Sequence, residues 1–125
     1  MKLSTLFVIN AVIAAIFGIA FVLIPSQTYS LYGVQAAPPL NYVGQLFGAA
    51  LVTIAGLTWS ARNVADSDGR RAIVLALLIG DVIGFVVALI GQLGGVVNGL
   101  GWSTVAIYLL LALGFAYFRF VKSSS

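Results

Sequence analysis

Three aspartates are the only carboxylate side chains in this chain, which has no histidine and no cysteine. Asp66 and Asp68 fall in the polar stretch ARNVADSDGRR, 61–71, among arginines. Asp81 stands apart, in LLIGDVIGF at 77–85, flanked by Gly80 and Gly84 inside a long apolar run. Without Cys or His there is no disulfide, no thiol redox chemistry and no Cys or His metal site, and a haem loses its usual axial ligands. No Ser–His or Cys–His pair exists, and no two acids share an apolar face. The glycines of GDVIG and GGVVNGLG lack the strand–turn–helix setting that phosphate binding requires. The expectation is a non-enzymatic protein with no cofactor and no metal. A lone acid in an apolar run leaves three uses: a proton or cation site, a counter-charge for a ligand, or a hydrogen bond to a neighbouring helix.

The surroundings of Asp81 identify the solvent it must contend with. The 125 residues are 62% hydrophobic and 7% charged, with a mean hydropathy of +1.14. Soluble domains carry about 25% charged residues, so this chain cannot cover a water-facing surface. Four apolar segments, at about 4–24, 41–60, 72–93 and 101–118, each approach the roughly 20 residues that a bilayer-spanning helix needs. The fold class expected is all-α, a single integral membrane four-helix bundle over 1–125. The first segment is longer than a signal-peptide core and is followed by no A-x-A site, so it reads as a retained helix.

The connections place these helices. Pro25 ends the first, Ser26 is set to cap a short helical turn closing at Gly33, and Pro38-Pro39 stiffens the approach to the second. Asp66 or Ser67 is set to cap the third helix. The links 25–40 and 94–101 carry no charge. Lys2, Arg62, Arg70, Arg71, Arg119 and Lys122 are all the basic residues, and four spans put every one on the same side. The positive-inside rule makes that side cytoplasmic, with both termini there, and assigns the six to lipid headgroups. Their sparseness argues against nucleic acid as a partner. Trp59, Tyr117 and Phe118 on one side, and Tyr42 and Trp102 on the other, fit aromatic belts.

Membrane helices associate by close packing and polar contact, because lipid gives no hydrophobic drive between them. Small residues recur at helical spacing as Ala14 and Gly18, as Gly44, Gly48 and Gly56, and as Gly80, Gly84 and Ala88. These rows are expected to pack the bundle or to form a seam between copies. Asp81 shares a helix face with Gly84, Ala88 and Gln92, and lies about 15 Å beyond Arg71, near the middle of a roughly 30 Å apolar core. An aspartate there costs about 2.5–3.5 kcal/mol on insertion scales. Depth nominates Asn10, Thr53 and Tyr108 as its neighbours, and Gln92 for a shallow outer vestibule.

Four spans, the length and one buried acid are similar to the small multidrug exporters, but their essential acid is a glutamate in the first span, where this chain has none. The IP–LYG stretch (Pro25, Leu31, Tyr32, Gly33), GQLFGAALVTIAGLTWSAR and LGWSTVAIYLLLALGFAYF together resemble the short four-span bacterial membrane proteins of uncharacterised function. That resemblance implies a four-helix bundle in a bacterial plasma membrane and supplies no catalytic residue. The functional expectation is action through helix–helix or helix–lipid contact, as a homo-oligomer or as an accessory subunit of a membrane complex. The alternatives are a small transporter or channel centred on Asp81, and a binding protein for an apolar ligand or pigment.

Overall fold

The computed structural model describes residues 1–121. It is all-helical, with four helices long and apolar enough to cross a membrane. Helix α1 spans Leu3–Leu23. Pro25, lacking an amide hydrogen, closes it and takes the first position of the short α2, Pro25–Leu31. The Thr28 hydroxyl braces this joint by donating to the carbonyls of Ala20 and Ile24. Ser26, the cap expected from sequence, does not cap α2, whose N-cap is Ile24. Its hydroxyl instead accepts from Asn41 Nδ2 at 2.9 Å, tying α2 to the next helix. After α2 the chain turns at Gly33, whose φ of +73° suits a residue without Cβ.

Helix α3 spans Pro38–Ala61, so the two prolines form its first turn rather than an approach to it. Helix α4 spans Asp68–Leu93 and begins a turn before the apolar run, because Ser67 caps it by accepting from the Arg70 amide at 3.2 Å. Helix α5 spans Gly101–Ala116 and continues as a π-helical turn, Tyr117–Val121.

The helices associate as two pairs, α1 with α3 and α4 with α5. In the first pair the backbones touch at Gly18 and Gly48: a Cβ on Gly48 would lie 2.7 Å from the Gly18 carbonyl oxygen. In the second, the Tyr108 ring lies against Gly84. The long helices of the two pairs pack against each other at one end. There Leu3, Leu6 and Phe7 of α1 meet Ala61, Val74, Leu77 and Leu78, with Leu111, Phe115 and Phe118 completing the core. Phe7 and Phe115 are fully buried, their ring centroids 6.0 Å apart. This arrangement alternates the helices up and down, placing the start of α1, the 62–67 link and the end of α5 together at the basic end.

Several assigned roles change. Phe118 is buried in this core rather than belonging to an aromatic belt, whereas Trp59, Tyr117, Tyr42 and Trp102 are exposed. Arg70 is also buried, 6% exposed, so it is not spread over headgroups. Arg71 pairs with Asp66 at 3.0 Å and Asp68 at 2.6 Å. Arg62 lies 3.9 Å over the Trp59 ring, and Arg119 lies 5.7 Å from Phe120. Lys2 is exposed at the start of α1. Lys122 lies outside the described residues. Gly56 and Gly80, assigned to packing rows, have no neighbouring atom within 4 Å of where a Cβ would stand.

Candidate functional site

Away from the basic end the two pairs diverge, and α3 does not pack along α4. A cavity of about 670 Å³ occupies the gap. Its wall is mostly apolar, with Phe17, Phe21, Phe47, Leu51 and Ile107 among the lining residues. Ile54, Leu77 and Leu111 lie toward the packed core. Phe47, Ala50 and Leu57 on α3, and Ala76 and Gly80 on α4, line the cavity and are also exposed. The cavity therefore opens sideways between α3 and α4, where a membrane would present its acyl chains.

The opposite end is closed by loops held to each other. Tyr29, Tyr32, Val34, Val96 and Val97 line the cavity there. Tyr29 donates from its phenol to the Leu40 carbonyl at 3.0 Å; burial pushes that phenol above its ordinary range and keeps it a donor. Asn98 fastens the 94–100 link to the end of α2: its amide donates to the Tyr32 carbonyl at 2.9 Å and its Nδ2 to the Leu31 carbonyl at 3.1 Å. Asn98 reads from sequence as a water-facing loop residue, and its role in the closure depends on a contact 67 residues away along the chain. Gln92 serves the same closure by donating to the Asn98 carbonyl at 3.2 Å, and does not line the cavity.

Asp81 and two of the three neighbours nominated by depth, Asn10 and Tyr108, line the cavity wall. Asp81 is 9% and Asn10 4% exposed. Asp81 Oδ2 and Asn10 Nδ2 are both buried without a hydrogen-bond partner among the described residues. Such groups are rare in native interiors and each calls for a physical reason. On α4, Gly84, Ala88 and Gln92 are less exposed than Val82, Ile83, Val86 and Val87, so the small, polar face turns inward. Gly84 has a definite purpose there, since any side chain would collide with Tyr108. Ala88 lines a smaller pocket of about 240 Å³ beside Tyr32 and Gly101. Ala14 lines the main cavity, and Gly44 receives the Tyr29 ring.

Thr53 does not join them. It is exposed, and its hydroxyl returns to the Ala49 carbonyl of its own helix at 3.2 Å. The inward threonine of α3 is Thr58, fully buried with its hydroxyl donating to the Ile54 carbonyl at 2.9 Å. The glycine row already carries the signal. Thr53 sits about 140° around the helix from Gly48, whereas Ala55, seven residues on, shares its face.

The fold is all-helical, with four helices long and apolar enough to span a membrane and two helix pairs enclosing a laterally open space. Comparison with known protein families, with curated proteins and with solved structures gave no match. The geometry of the cavity therefore carries the functional reading.

Proposed function

We propose that this protein is a non-enzymatic integral membrane protein that holds a bilayer-borne amphiphilic small molecule between its helix pairs. The single observation behind this is the large apolar cavity with two buried, unpartnered polar groups, Asp81 Oδ2 and Asn10 Nδ2, in its wall. Ligand sites are typically concave, about 300–1,000 Å³, mostly apolar, and fitted with a few polar groups that orient the occupant. The sideways opening suits a ligand that arrives dissolved in lipid.

A purely structural role for Asp81 requires a bond to a neighbouring helix, and Asp81 Oδ2 has none among the described residues. A proton relay requires a second acid or base along the path, and the other two acids are both engaged by Arg71 where the 62–67 link enters α4. With the basic residues gathered at one end of the bundle, the orientation we propose puts that end, and both ends of the chain, in the cytoplasm of a bacterial cell. Exposed faces such as Val82, Val86 and Val87 are then available to lipid, to copies of the chain or to other membrane subunits.

Native mass spectrometry of the detergent-solubilised protein tests the ligand reading. Gly80 lines the cavity and has open space where a side chain would grow. Gly80→Leu is therefore expected to fold and to fill part of the cavity. The wild type should release a small molecule at one per chain, and Gly80→Leu should carry at least tenfold less. Equal occupancy in the two proteins, or an empty wild type, contradicts the reading.

A further inference from the structure

Resting on that reading, the chemistry of the wall narrows the class of ligand. Asp81 is the one residue lining the cavity that can carry a carboxylate charge. The other titratable groups facing it are phenols: Tyr108 from α5, and Tyr29 and Tyr32 from the closed end. Helices α1 and α3 contribute no ionisable group to the wall, and from α1 the polar contribution is the neutral Asn10. The nearest arginine on the same helix is Arg71, ten residues back at about 1.5 Å each and paired with Asp66 and Asp68, and buried Arg70 lies one residue further.

An anionic ligand would set two like charges together in a medium of low dielectric, where repulsion is strong. A neutral amphiphile would supply no counter-charge, and the buried carboxyl would then hold its proton and offer only a hydrogen bond. A cation lets the carboxyl ionise against an opposite charge, and Phe17, Phe21 and Phe47 add to the same wall a residue type that attracts cations. We propose that the cavity selects an amphiphilic cation, an ammonium group on an apolar tail, with Asp81 as its counter-charge and the α3/α4 gap as its entry from the bilayer.

The test uses the protein in phosphatidylcholine nanodiscs, with empty nanodiscs as the blank. Equilibrium dialysis measures two probes of equal chain length, dodecyltrimethylammonium and dodecanol. The first keeps its charge at every pH, so it reports on the protein alone. Wild type should bind the cation at least tenfold more tightly than the alcohol, and Asp81→Asn should bring the two within about twofold. Asp81→Glu, which restores the charge, should recover the preference.

Equal affinity for the two probes in the wild type overturns the inference, and that measurement needs no variant to fold. An Asp81→Asn protein that binds the cation like the wild type overturns it as well. In either case an amphiphile still enters, and the ligand reading stands without its charge selectivity. Failure of both probes to bind above the blank removes the ligand reading itself.

Discussion

Gly48→Leu is expected to separate α1 from α3 and to lower stability by about 3 kcal/mol, the upper part of the range for overpacking. The Cβ that this substitution adds would lie 2.7 Å from the Gly18 carbonyl oxygen and 2.9 Å from Phe21 Cβ. The first is backbone, which no rotamer change can move aside. The helices must part, and with them goes the packing that holds membrane helices together without help from the hydrophobic effect. Gly56→Leu on the same helix is the matched control. Nothing stands within 4 Å of its added Cβ, and the exchange replaces a poor helix former with a good one. Unfolding in mixed micelles, followed by circular dichroism against the denaturing detergent fraction, should show a large loss for Gly48→Leu and none for Gly56→Leu. Equal losses would mean that the α1–α3 contact does not run through Gly48.

Phe115→Ala is expected to be the costliest change at the basic end. Its ring is fully buried against Phe7, in the core where the long helices of the two pairs pack together. In a soluble core the loss would include transfer from water, but here the separated helix remains in lipid and that contribution drops out. Lost contacts remain: at about 24 cal/mol per Å³, a residual void on the order of 80 Å³ costs about 2 kcal/mol. Because this core is where the long helices of the two pairs pack, while the far end is held by the Asn98 bonds to Leu31 and Tyr32, the loss should appear as opening at the basic end rather than as melting within either pair. Hydrogen–deuterium exchange should rise first at Leu3–Phe7 and Val74–Leu78, with the midpoints of α1 and α3 unchanged. Uniform acceleration along all four helices would contradict a core confined to one end.

Hydropathy made the four long apolar helices legible, because each apolar run is close to the length a bilayer requires. It defined the apolar run and not the helix, which is why α3 begins at Pro38 and α4 at Asp68. A proline in the first turn gives up no hydrogen bond, and a polar first turn capped by Ser67 costs nothing outside the apolar layer. The inward face of α4 was legible from the spacing of Asp81, Gly84, Ala88 and Gln92 alone. Depth by itself nominated Thr53, and failed there because depth says nothing about which side of a helix a residue occupies. The small-residue rows were half legible: Gly18, Gly48 and Gly84 meet neighbours, whereas Gly56 and Gly80 face open space. The cavity was not legible at all. It exists because α3 and α4, adjacent in sequence, do not pack along each other, and no local pattern in either helix encodes that separation.

Photolabelling in bilayers with an alkyl amphiphile bearing a diazirine near its polar end distinguishes an occupied cavity from a closed one most directly. Helix α1 presents both environments within two turns. Ile13 and Phe17 line the cavity, while Val12, Ile16 and Ile19 are exposed on the outer surface. A cavity that admits amphiphiles from the membrane predicts modification of Ile13 and Phe17 that a tenfold excess of unlabelled amphiphile suppresses, with non-saturable labelling at Val12, Ile16 and Ile19. Label confined to Val12, Ile16 and Ile19 would show that the space between the helix pairs is shut to the bilayer.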